Sequence, residues 1–378
     1  MKGHGQYGNR SPKARNVENL KNFFNKKRVL ITGHTGFKGS WLCQMFLLWG
    51  ADVSGIALAP STTPNLFSVL GIQPRIHHYI ADIRDGDAVG SIFNKEKPEV
   101  VFHLAAQPIV RESYNNPLYT FETNIIGTAN VLEAIRKTSS VRAAVMVTTD
   151  KVYKNKETAA AYTEDNPLGG HDPYSASKAS AELVIRSYQK SFFHPDGYDK
   201  IHAVLIASAR AGNMIGGGDW GPDRIMTDIV RSVFERNEKM LLRNPESVRP
   251  WQFVLEPLAG YAMLAKGLYE GRKELSDAWN FGPKDANHLQ VKDIVRESFA
   301  YLNKGSYIIH RDPVKPEALF LKIDSAKARK HLGWRSRIHA RDALTLALNW
   351  YKTYYTKGIM ADFTNQQITE FFKKIRTV

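Results

Sequence analysis

Two segments of the sequence carry side chains that could move a proton and a hydride at one alcohol carbon. In Tyr174-Ser175-Ala176-Ser177-Lys178 a phenol and an ammonium are four residues apart, a spacing that places both on one face of a helix. The ammonium would make the phenol lose its proton more easily, so Tyr174 could accept a proton from a hydroxyl while hydride leaves the same carbon. Thr149, at the end of a β-branched run, could hydrogen-bond that hydroxyl. Because many helices carry Tyr and Lys at this spacing, the prediction depends on neighbouring motifs.

A glycine-rich turn predicts where a hydride acceptor would bind. The turn reads Thr32-Gly33-His34-Thr35-Gly36-Phe37-Lys38-Gly39 and lies between a buried strand pattern over 29–32 and a helical pattern over 41–49. Its three glycines permit a tight turn, close backbone approach to a pyrophosphate, and close packing of helix on strand. In this setting a dinucleotide-binding turn is favoured over an ordinary glycine-rich turn.

The type of dinucleotide is left open by the residues that follow the second strand. An acidic residue there would hold the adenosine ribose and favour NAD over NADP, but the stretch 55–61 contains no carboxylate. Asp82, which ends the third strand pattern, could meet the adenine amino group instead. A helix cap before Asp87 is the alternative role for Asp82. We expect NAD, with NADP possible.

Composition and charge exclude several classes of protein. The chain has 378 residues, 43% of them hydrophobic, and a single cysteine, which together predict a globular cytoplasmic protein without disulfides. No run reaches the ~18 apolar residues of a membrane span, so no membrane partner is expected. Residues 1–28 hold eight Lys or Arg against one Glu and so contribute +7 of the net charge of +15. The remaining charge shows no basic stripe with interleaved aromatics, so no nucleic-acid partner is expected.

Strand and helix patterns alternate through the first two hundred residues. Such alternation predicts an α/β fold in which helices cover both faces of a doubly wound parallel sheet. The predicted strands span 29–32, 53–57, 100–104, 143–148 and 203–208, and the predicted helices span 41–49, 87–95, 121–137 and 175–191. Later helical patterns span 227–236 and 257–269.

The sequence predicts three parts. Residues 1–26 form a flexible basic tail that can be removed without loss of stability. Residues 27–208 form the NAD(P)-binding Rossmann domain, to which a strand near 278–282 returns. Residues 209–378, rich in Gly and Pro connections at their start, form mainly a second, smaller domain that binds the substrate, with a cleft between the two.

These motifs resemble the extended short-chain dehydrogenases and, within them, the nucleotide-sugar 4,6-dehydratases that act on CDP-glucose. The resemblance extends from residue 28 to about residue 350. Two departures are Val152, where relatives often carry Cys, and the tail before Arg28. The segments that carry the resemblance are 32–39, 103–108, 149–151, 169–174, 210–213, 216–220, 243–245 and 249–252.

The resemblance implies a dehydration that starts with an oxidation. Tyr174 and NAD would oxidise C4 of the hexose, which makes the C5 proton acidic, and loss of water across C5 and C6 would be followed by return of the hydride to C6. Asp150 would be the acid for the C6 hydroxyl, which requires a raised pKa. Lys151 would be either the base for C5, which requires a lowered pKa, or a cation that stabilises the enolate. The implied pathway is deoxysugar biosynthesis for O-antigen lipopolysaccharide.

The resemblance also implies a set of binding residues. Arginines suit the diphosphate because a guanidinium can meet two phosphate oxygens, with Arg249 expected first and solvated surface positions as the alternative for Arg224 and Arg243. The expected cofactor-binding residues are Gly33, Thr35, Gly36, Phe37, Lys38, Gly39, Asp82, Ile83, Leu104, Ala105, Ala106, Tyr174 and Lys178. The expected substrate-binding residues are Gln107, Asn213, Arg224, Arg243, Arg249 and Trp251.

Two other functions compete with dehydration. A nucleotide-sugar 4-epimerase or dehydrogenase would use Thr149, Tyr174 and Lys178 without needing Asp150 and Lys151 beside them. A protein that binds the cofactor without turnover has no physical need for the complete set. We expect a homodimer or homotetramer formed through helices 121–137 and 175–191, as in relatives. We expect no metal, because His77, His78 and Cys43 lack ligand spacing.

Overall fold

A seven-stranded sheet with strand order β3-β2-β1-β4-β5-β6-β11 lies at the centre of the molecule. The structure is a computed structural model that describes residues 19–156, 158, 160–284, 288–309 and 321–376. Neighbouring strands of this sheet are parallel. The strands are β1 (Arg28–Thr32), β2 (Asp52–Ala57), β3 (His77–Ile80), β4 (Val100–His103), β5 (Ala143–Val147), β6 (Leu205–Arg210), β7 (Met214–Ile215), β8 (Met240–Leu242), β9 (Val248–Pro250), β10 (Gln252–Phe253), β11 (Ala278–Asn280), β12 (His288–Gln290) and β13 (Tyr307–Ile309).

Helices cover both faces of the sheet. They are α1 (residues 19–24), α2 (Phe37–Leu48), α3 (Leu66–Val69), α4 (Gly86–Glu96), α5 (Val110–Asn115), α6 (Pro117–Phe121), α7 (Gly127–Lys137), α8 (Pro173–Ser191), α9 (Ile225–Val230), α10 (Leu255–Tyr269), α11 (Val291–Leu302), α12 (Ala326–His331), α13 (Ala340–Tyr355) and α14 (Met360–Arg376). Two π-helical turns, Glu122–Ile126 and Arg231–Arg236, continue α6 into α7 and extend α9, and short 3-10 helices span Gln73–Arg75, Asp150–Val152, Pro195–Gly197 and Lys273–Leu275.

This architecture confirms the predicted doubly wound α/β fold. The strand order reverses between β1 and β4, which places a crevice at the carboxyl ends of these two strands. The predicted strand 203–208 is shifted by two residues to Leu205–Arg210. The predicted helices 41–49 and 175–191 begin earlier, at Phe37 and Pro173, because the glycine turn and a proline at the first helical position both start a helix well.

Each face of the sheet has its own hydrophobic core. On one face α4, α7 and α8 bury Phe93, Val131 and Ile185 against the strands. On the other face α2 and α10 bury Trp41 and Leu258. Residues of β1 alternate between the two cores, as expected for a strand covered on both sides.

The predicted division after residue 208 does not follow the packing of later elements. Helix α10 packs on β5 and β6 of the central sheet. Helix α14 returns to α2, where Gln44 Nε2 donates to Asn365 Oδ1 at 2.7 Å and the rings of Trp49 and Phe372 are 4.9 Å apart. The remaining later elements include three two-stranded pairs, β7 with β10, β8 with β13 and β9 with β12. All six of these strands follow β6 in the chain, within the part predicted to bind the substrate.

The predicted tail is wrong in its last residues. Helix α1 buries Leu20 and Phe24, and the Phe24 ring is 4.5 Å from that of Phe46 and 5.8 Å from that of Trp49. The burial of these two side chains was not predicted, because two apolar residues in a basic segment are too few to give a periodic pattern. Residues 1–18 of the predicted tail lie outside the described residues. Within the described part of the chain, no helix is both long and apolar enough to span a membrane.

Candidate active site

Three consecutive polar residues follow β5 at the carboxyl edge of the sheet. Thr149 is the N-cap of the 3-10 helix Asp150–Val152, and its hydroxyl donates to Asp150 Oδ1 at 3.0 Å. The hydroxyls of Thr149 and Tyr174 share a hydrogen bond. The structure therefore brings Tyr174 to Thr149 and Asp150, which precede it by 25 and 24 positions in the sequence.

Helix α8 positions Tyr174 and Lys178 from its first turns. Asp172 caps the helix by accepting from the Ser175 N–H at 2.9 Å, and a cap of this kind followed by proline fixes where a helix starts. The Tyr174 N–H donates to Ser113 Oγ at 3.1 Å. One turn later Lys178 Nζ donates to the carbonyl of Val147 at 3.1 Å, so the lysine is held against the end of β5.

Burial favours the neutral forms of both Tyr174 and Lys178. Burial raises the pKa of Tyr174 to about 12, while Thr149 opposes the rise. This shift is opposite to the lowering that the Tyr and Lys spacing predicts. Burial lowers the pKa of Lys178 to about 8, with Glu182 acting in the other direction. The site therefore excludes water strongly enough that desolvation outweighs the pairing of charges.

Asp150 has the environment that a general acid requires. Its side chain is buried, and this burial raises its pKa, against the opposing effects of Lys151, Thr149, Lys38 and Arg249. Its Oδ2 lies where a side chain at Gly212 would place a Cβ, at 2.6 Å, so a larger residue at 212 would push the carboxyl away. The raised pKa agrees with the direction that the acid role needs, although a protein without turnover could also bury such a carboxyl.

A buried ion pair supports the strand ends beneath these residues. Arg210 Nε and Nη2 donate to the two oxygens of Glu182 at 2.9 and 2.8 Å, and Ser208 Oγ donates to the same carboxylate at 2.8 Å. Arg210 Nη1 donates to the Tyr153 hydroxyl at 2.8 Å. Arg210, which begins the segment 210–213 that carries the resemblance, is thus buried and bonded to Glu182. Its role is to hold β5, β6 and α8 in register.

The glycine turn forms a backbone cradle at the start of α2. Gly33 has a φ of +76°, and a Cβ there would lie 2.7 Å from the Ala105 nitrogen. A Cβ at Gly39 would lie 2.2 Å from the Gly33 carbonyl oxygen. Gly36 is the N-cap of α2, and no side chain caps this helix end. The first N–H groups of α2 are thus available for a pyrophosphate, so the cradle fits a dinucleotide.

Four other expected cofactor residues, Leu104, Ala105, Ala106 and Thr35, lie around the glycine turn. Leu104 and Ala105 donate their N–H groups to Thr32 Oγ1, both at 3.2 Å, and lie directly beside Gly33 with Ala106 following. Thr35 Oγ1 donates to the Leu58 carbonyl at 2.9 Å, which ties the turn to the end of β2.

Two further cofactor predictions meet partners that the sequence did not reveal. Arg84 donates to Asp82 Oδ2 through Nε at 3.0 Å and Nη2 at 2.7 Å, so Asp82 is engaged by an arginine at the edge where adenine was expected. The alternative cap role belongs to Asp85, which accepts from the Ala88 N–H at 2.9 Å. Ile83 is buried, and its side chain packs where a Cβ at Gly127 would lie.

Phe37 and Lys38 point from α2 toward the later elements. A Cβ at Gly216 would lie 3.1 Å from Phe37 Cζ, so the ring packs against the 216–218 turn. Burial lowers the pKa of Lys38 to about 8, with Arg224 adding to the decrease and Asp150 and Asp219 opposing it. Lys38 thus faces the catalytic carboxyl as well as the glycine turn.

Gln107 bonds mainly within its own loop. Its Nε2 donates to the Ile109 carbonyl at 3.1 Å and to Thr120 Oγ1 at 2.9 Å, and its Oε1 accepts from the Ile109 N–H at 2.6 Å. The residue is 5% exposed. The amide therefore shapes the loop after β4 that carries Ala105 and Ala106, and substrate binding by Gln107 stays a prediction.

A cavity of about 160 Å³ is lined by residues of β8, β9 and α9 and of the loops around them. Five of the expected substrate-binding residues line it: Asn213, Arg224, Arg243, Arg249 and Trp251. Arg249 is mostly buried in β9 and influences the pKa of Asp150, and Arg224 influences that of Tyr174. The Trp251 ring is buried and its Nε1 donates to the Leu289 carbonyl at 3.0 Å, so it forms a wall of the cavity.

Three carboxylates in this cavity were missed at the sequence level. Asp219, Asp223 and Asp228 all line it, and Arg243 Nη2 is 2.8 Å from Asp223 Oδ1 and 3.9 Å from Asp228 Oδ2. Arg243 is therefore paired with acids while it lines the cavity, and its expected role on the diphosphate stays a prediction. The only available signal was the density of Asp between 219 and 228, and carboxylates at helix starts are common for other reasons.

Comparison with known proteins decides the family. A family model described as GDP-mannose 4,6 dehydratase matches residues 30–346. The chain is 43% identical over 352 residues to the CDP-glucose 4,6-dehydratase of Salmonella typhimurium, an alignment that covers 93% of this chain and 98% of that protein. The chain belongs to the GDP-mannose 4,6-dehydratase family. Membership confirms the resemblance to nucleotide-sugar dehydratases that the motifs predicted.

More distant members share the fold. The dTDP-glucose 4,6-dehydratase of Salmonella typhimurium is 24% identical, over 86% of this chain and 92% of that protein. A crystal structure of dTDP-glucose 4,6-dehydratase from Streptomyces venezuelae superposes with a TM-score of 0.74 at 23% identity, covering 87% of this chain and 98% of that one. A UDP-glucose 4-epimerase from Thermotoga maritima gives 0.71 at 21% identity, covering 86% and 99%. Dehydratases and epimerases thus have the same architecture, and the fold does not distinguish them.

Proposed function

We propose that this chain converts CDP-glucose to CDP-4-keto-6-deoxyglucose and water, using a bound NAD that is regenerated in each turnover. The observation that carries this proposal is the buried carboxyl of Asp150, with its raised pKa, hydrogen-bonded to Thr149 beside Tyr174. Oxidation at C4 alone needs no such acid. The 43% identity to a CDP-glucose 4,6-dehydratase supports the same substrate.

The first step is oxidation of the C4 hydroxyl. Thr149 orients this hydroxyl, and Tyr174 accepts its proton as the C4 hydrogen leaves as hydride. When bound, NAD accepts the hydride from C4 and later returns it to C6. Because burial raises the pKa of Tyr174 to about 12, formation of the phenolate requires positive charge nearby, and Lys178 is the cation one turn further along α8. Epimerases of this fold could perform this step in the same way.

The second step is elimination of water, and it uses the residues next to Thr149. Asp150 protonates the C6 hydroxyl as the C5 proton leaves, and the ketone at C4 stabilises the resulting carbanion as an enolate. Lys151, which is adjacent and lowers the pKa of Asp150, either accepts the C5 proton or stabilises the enolate. A neutral Asp150 donates its proton where water is excluded, which is the condition that its burial provides.

Binding of the two ligands uses different chemistry. The NAD pyrophosphate would be held by the N–H groups at the start of α2, where Gly33, Gly36 and Gly39 would allow its close approach. The substrate diphosphate is held by Arg249 and Arg224, with Asn213 as a further donor from the cavity wall. NADP remains possible because the stretch 55–61 has no carboxylate to repel a 2′-phosphate.

A labelling experiment separates dehydration from epimerisation and simple dehydrogenation. CDP-glucose carrying deuterium at C4 should give CDP-4-keto-6-deoxyglucose with that deuterium at C6, and solvent deuterium should enter at C5. Mass spectrometry of the product reads both positions. Epimerisation would return the label to C4, and a dehydrogenase would release it with reduced cofactor, so either result would overturn the proposal. A panel of CDP-, dTDP-, UDP- and GDP-hexoses tests the substrate.

Helices α6 to α8 support the proposal of a homodimer or homotetramer. They expose apolar side chains that a monomer would leave in water, with Leu118 76% exposed, Leu183 59% and Ile126 53%. Light scattering should give a mass of at least twice 42.7 kDa, and Leu183→Asp should lower it. The cytoplasmic location and a role in O-antigen biosynthesis stay predictions.

A further inference from the structure

The far end of the nucleotide cavity carries an acid and an arginine side by side. Arg243, just after β8, and Asp228, on α9, both line this cavity, with Arg243 Nη2 3.9 Å from Asp228 Oδ2. Arg243 is fixed from its other side by Asp223, whose Oδ1 is 2.8 Å from the same nitrogen. A guanidinium anchored in this way presents its remaining N–H groups in a fixed direction.

The position of this pair along the cavity indicates which part of the substrate it meets. A nucleoside diphosphate hexose is a linear molecule, with the sugar at one end and the base at the other. Gly212 lies between Asp150 and β9, since a Cβ there would be 2.6 Å from Asp150 Oδ2 and 3.1 Å from Pro250 Cγ, so the neighbouring Asn213 and Arg249 mark the hexose and diphosphate end of the cavity. Asp228 and Arg243 instead lie on the wall that α9 and the end of β8 form together. The pair therefore lies at the base end.

Asp228 has a hydrogen-bonding capacity that the protein leaves open. Burial raises its pKa, an effect that Arg243 partly opposes, and its side chain is still 38% exposed toward the cavity. Within the described ranges, no group donates a hydrogen bond to this carboxylate at ordinary hydrogen-bond distance. A donor supplied by a ligand would therefore recover the cost of removing water from the carboxylate.

Resting on the proposed function, we infer that Asp228 and Arg243 read the Watson–Crick edge of the base and select cytosine. That edge of cytosine presents an amino donor at N4 followed by acceptors at N3 and O2. A carboxylate beside a guanidinium presents the complementary order, one acceptor followed by donors. Uracil and thymine present a carbonyl oxygen at C4 and an N–H at N3, so they would place an acceptor against Asp228 and a donor against Arg243.

Nucleotide binding without turnover tests this inference separately from the reaction. The purified holoenzyme is titrated calorimetrically with CDP, UDP, dTDP and GDP, and wild type should bind CDP most tightly. Asp228→Asn should reduce the ratio of CDP to UDP affinity on the order of tenfold to a hundredfold, because a hydrogen bond to a charged group is lost and an amide can donate to the carbonyl at C4. An unchanged ratio would overturn the inference.

Asp219→Asn is the matched control. This change removes an acid of the same charge from the same cavity, where Asp219 pairs with Arg224 and not with Arg243, so Asp228 and the anchored Arg243 both stay in place. Affinities for the four nucleotides should therefore change by a common factor. If Asp219→Asn alters base preference as much as Asp228→Asn does, the preference comes from the net charge of the cavity, and the assignment to Asp228 is wrong.

Arg243→Lys is the second test variant, to be used if thermal melting shows that Asp228→Asn does not fold. Lysine keeps the positive charge but loses the forked donors, so CDP should weaken more than UDP. Equal weakening of all four nucleotides would place Arg243 on the diphosphate and overturn the inference. If the wild type prefers CDP but does not turn over CDP-glucose, the proposed reaction is wrong and the base assignment stands. If it turns over CDP-glucose but binds the four nucleotides equally, the base assignment is wrong and the proposed reaction stands.

Discussion

The cofactor edge and the nucleotide cavity are built in different ways. At the cofactor edge the backbone makes the site: Gly33 and Gly39 leave no room for a Cβ, and the start of α2 offers its N–H groups. In the cavity side chains make the site, and Arg249, Arg243 and Asp228 come from separate short elements. A backbone site tolerates few residue types, whereas a side-chain site can change its ligand by single substitutions.

The largest expected effect is at the cofactor edge. Gly39→Ala would place a Cβ 2.2 Å from the Gly33 carbonyl oxygen and 2.7 Å from His34 Cα, and neither backbone atom can move without opening the turn. We expect loss of NAD binding and a decrease of at least about 1–3 kcal/mol in the free energy of unfolding. Gly36→Ala is the matched control for stability alone, since its Cβ would be 3.4 Å from its nearest neighbour in the protein. Denaturant titration and cofactor fluorescence measure both, and wild-type stability of Gly39→Ala would contradict a backbone-made site.

The next effect lies where the two regions meet, at Tyr174 and Asp150. Tyr174→Phe should lower turnover by about 10²-fold or more, because the positioned proton acceptor for the first step is lost. Asp150→Asn should form the C4 ketone but eliminate little water, so reduced cofactor should accumulate. Absorbance at the reduced-nicotinamide band separates the two variants. If Asp150→Asn releases the dehydrated product at the wild-type rate, Asp150 is not the acid.

The same contrast explains how much the sequence could predict. The fold and the glycine cradle follow from local patterns, because strand alternation and glycine spacing constrain the backbone directly. The proximity of Thr149 and Tyr174 was predictable, because Thr149 lies at the end of a strand and Tyr174 at the start of a helix, and these two ends meet at the same edge of the sheet. The bonds of Gln107 were not predictable, because no local pattern shows that a polar residue after a strand turns inward and bonds its own loop. Asp228 was missed because its role depends on α9 lying beside β8, which no local pattern specifies.

In the cavity, substitution of a buried arginine should raise KM more than substitution of an exposed one. Arg249 is mostly buried, and Arg249→Lys removes a planar two-pronged donor, so KM for the nucleotide sugar should rise on the order of tenfold to a hundredfold. The Arg224 side chain is 44% exposed and 4.0 Å from Asp219. Arg224→Lys should raise KM by less than about fivefold, as for an exposed ion pair. Steady-state kinetics measure both. An equal response would show that burial does not set the contribution of these arginines.

A smaller effect is expected when the pH is lowered, because of a buried histidine at the cofactor edge. His103 is buried between Thr32 and Thr128, and burial lowers its pKa to about 3, with Lys178 adding to the decrease. An unfolded chain binds a proton at this histidine below pH ~6.5 and the folded chain does not, so the free energy of unfolding should fall as the pH decreases from 6.5 toward 3. His103→Gln should reduce this slope by up to about 1.4 kcal/mol per pH unit. Urea titrations between pH 7 and 5 measure it, and an unchanged slope would contradict the assignment.

The smallest effect is expected from the start of the chain, which should contribute to neither region. The stretch 1–17 is basic and has no apolar periodicity, so its deletion should change the melting temperature by little and leave turnover unchanged. Deletion of residues 1–25 is the informative contrast, because it also removes Phe24, whose ring contacts Phe46 beneath the cofactor edge. Loss of a buried phenylalanine costs about 3–5 kcal/mol, so this longer deletion should melt at a clearly lower temperature. A similar loss on deletion of 1–17 alone would show that the basic segment packs on the body of the protein.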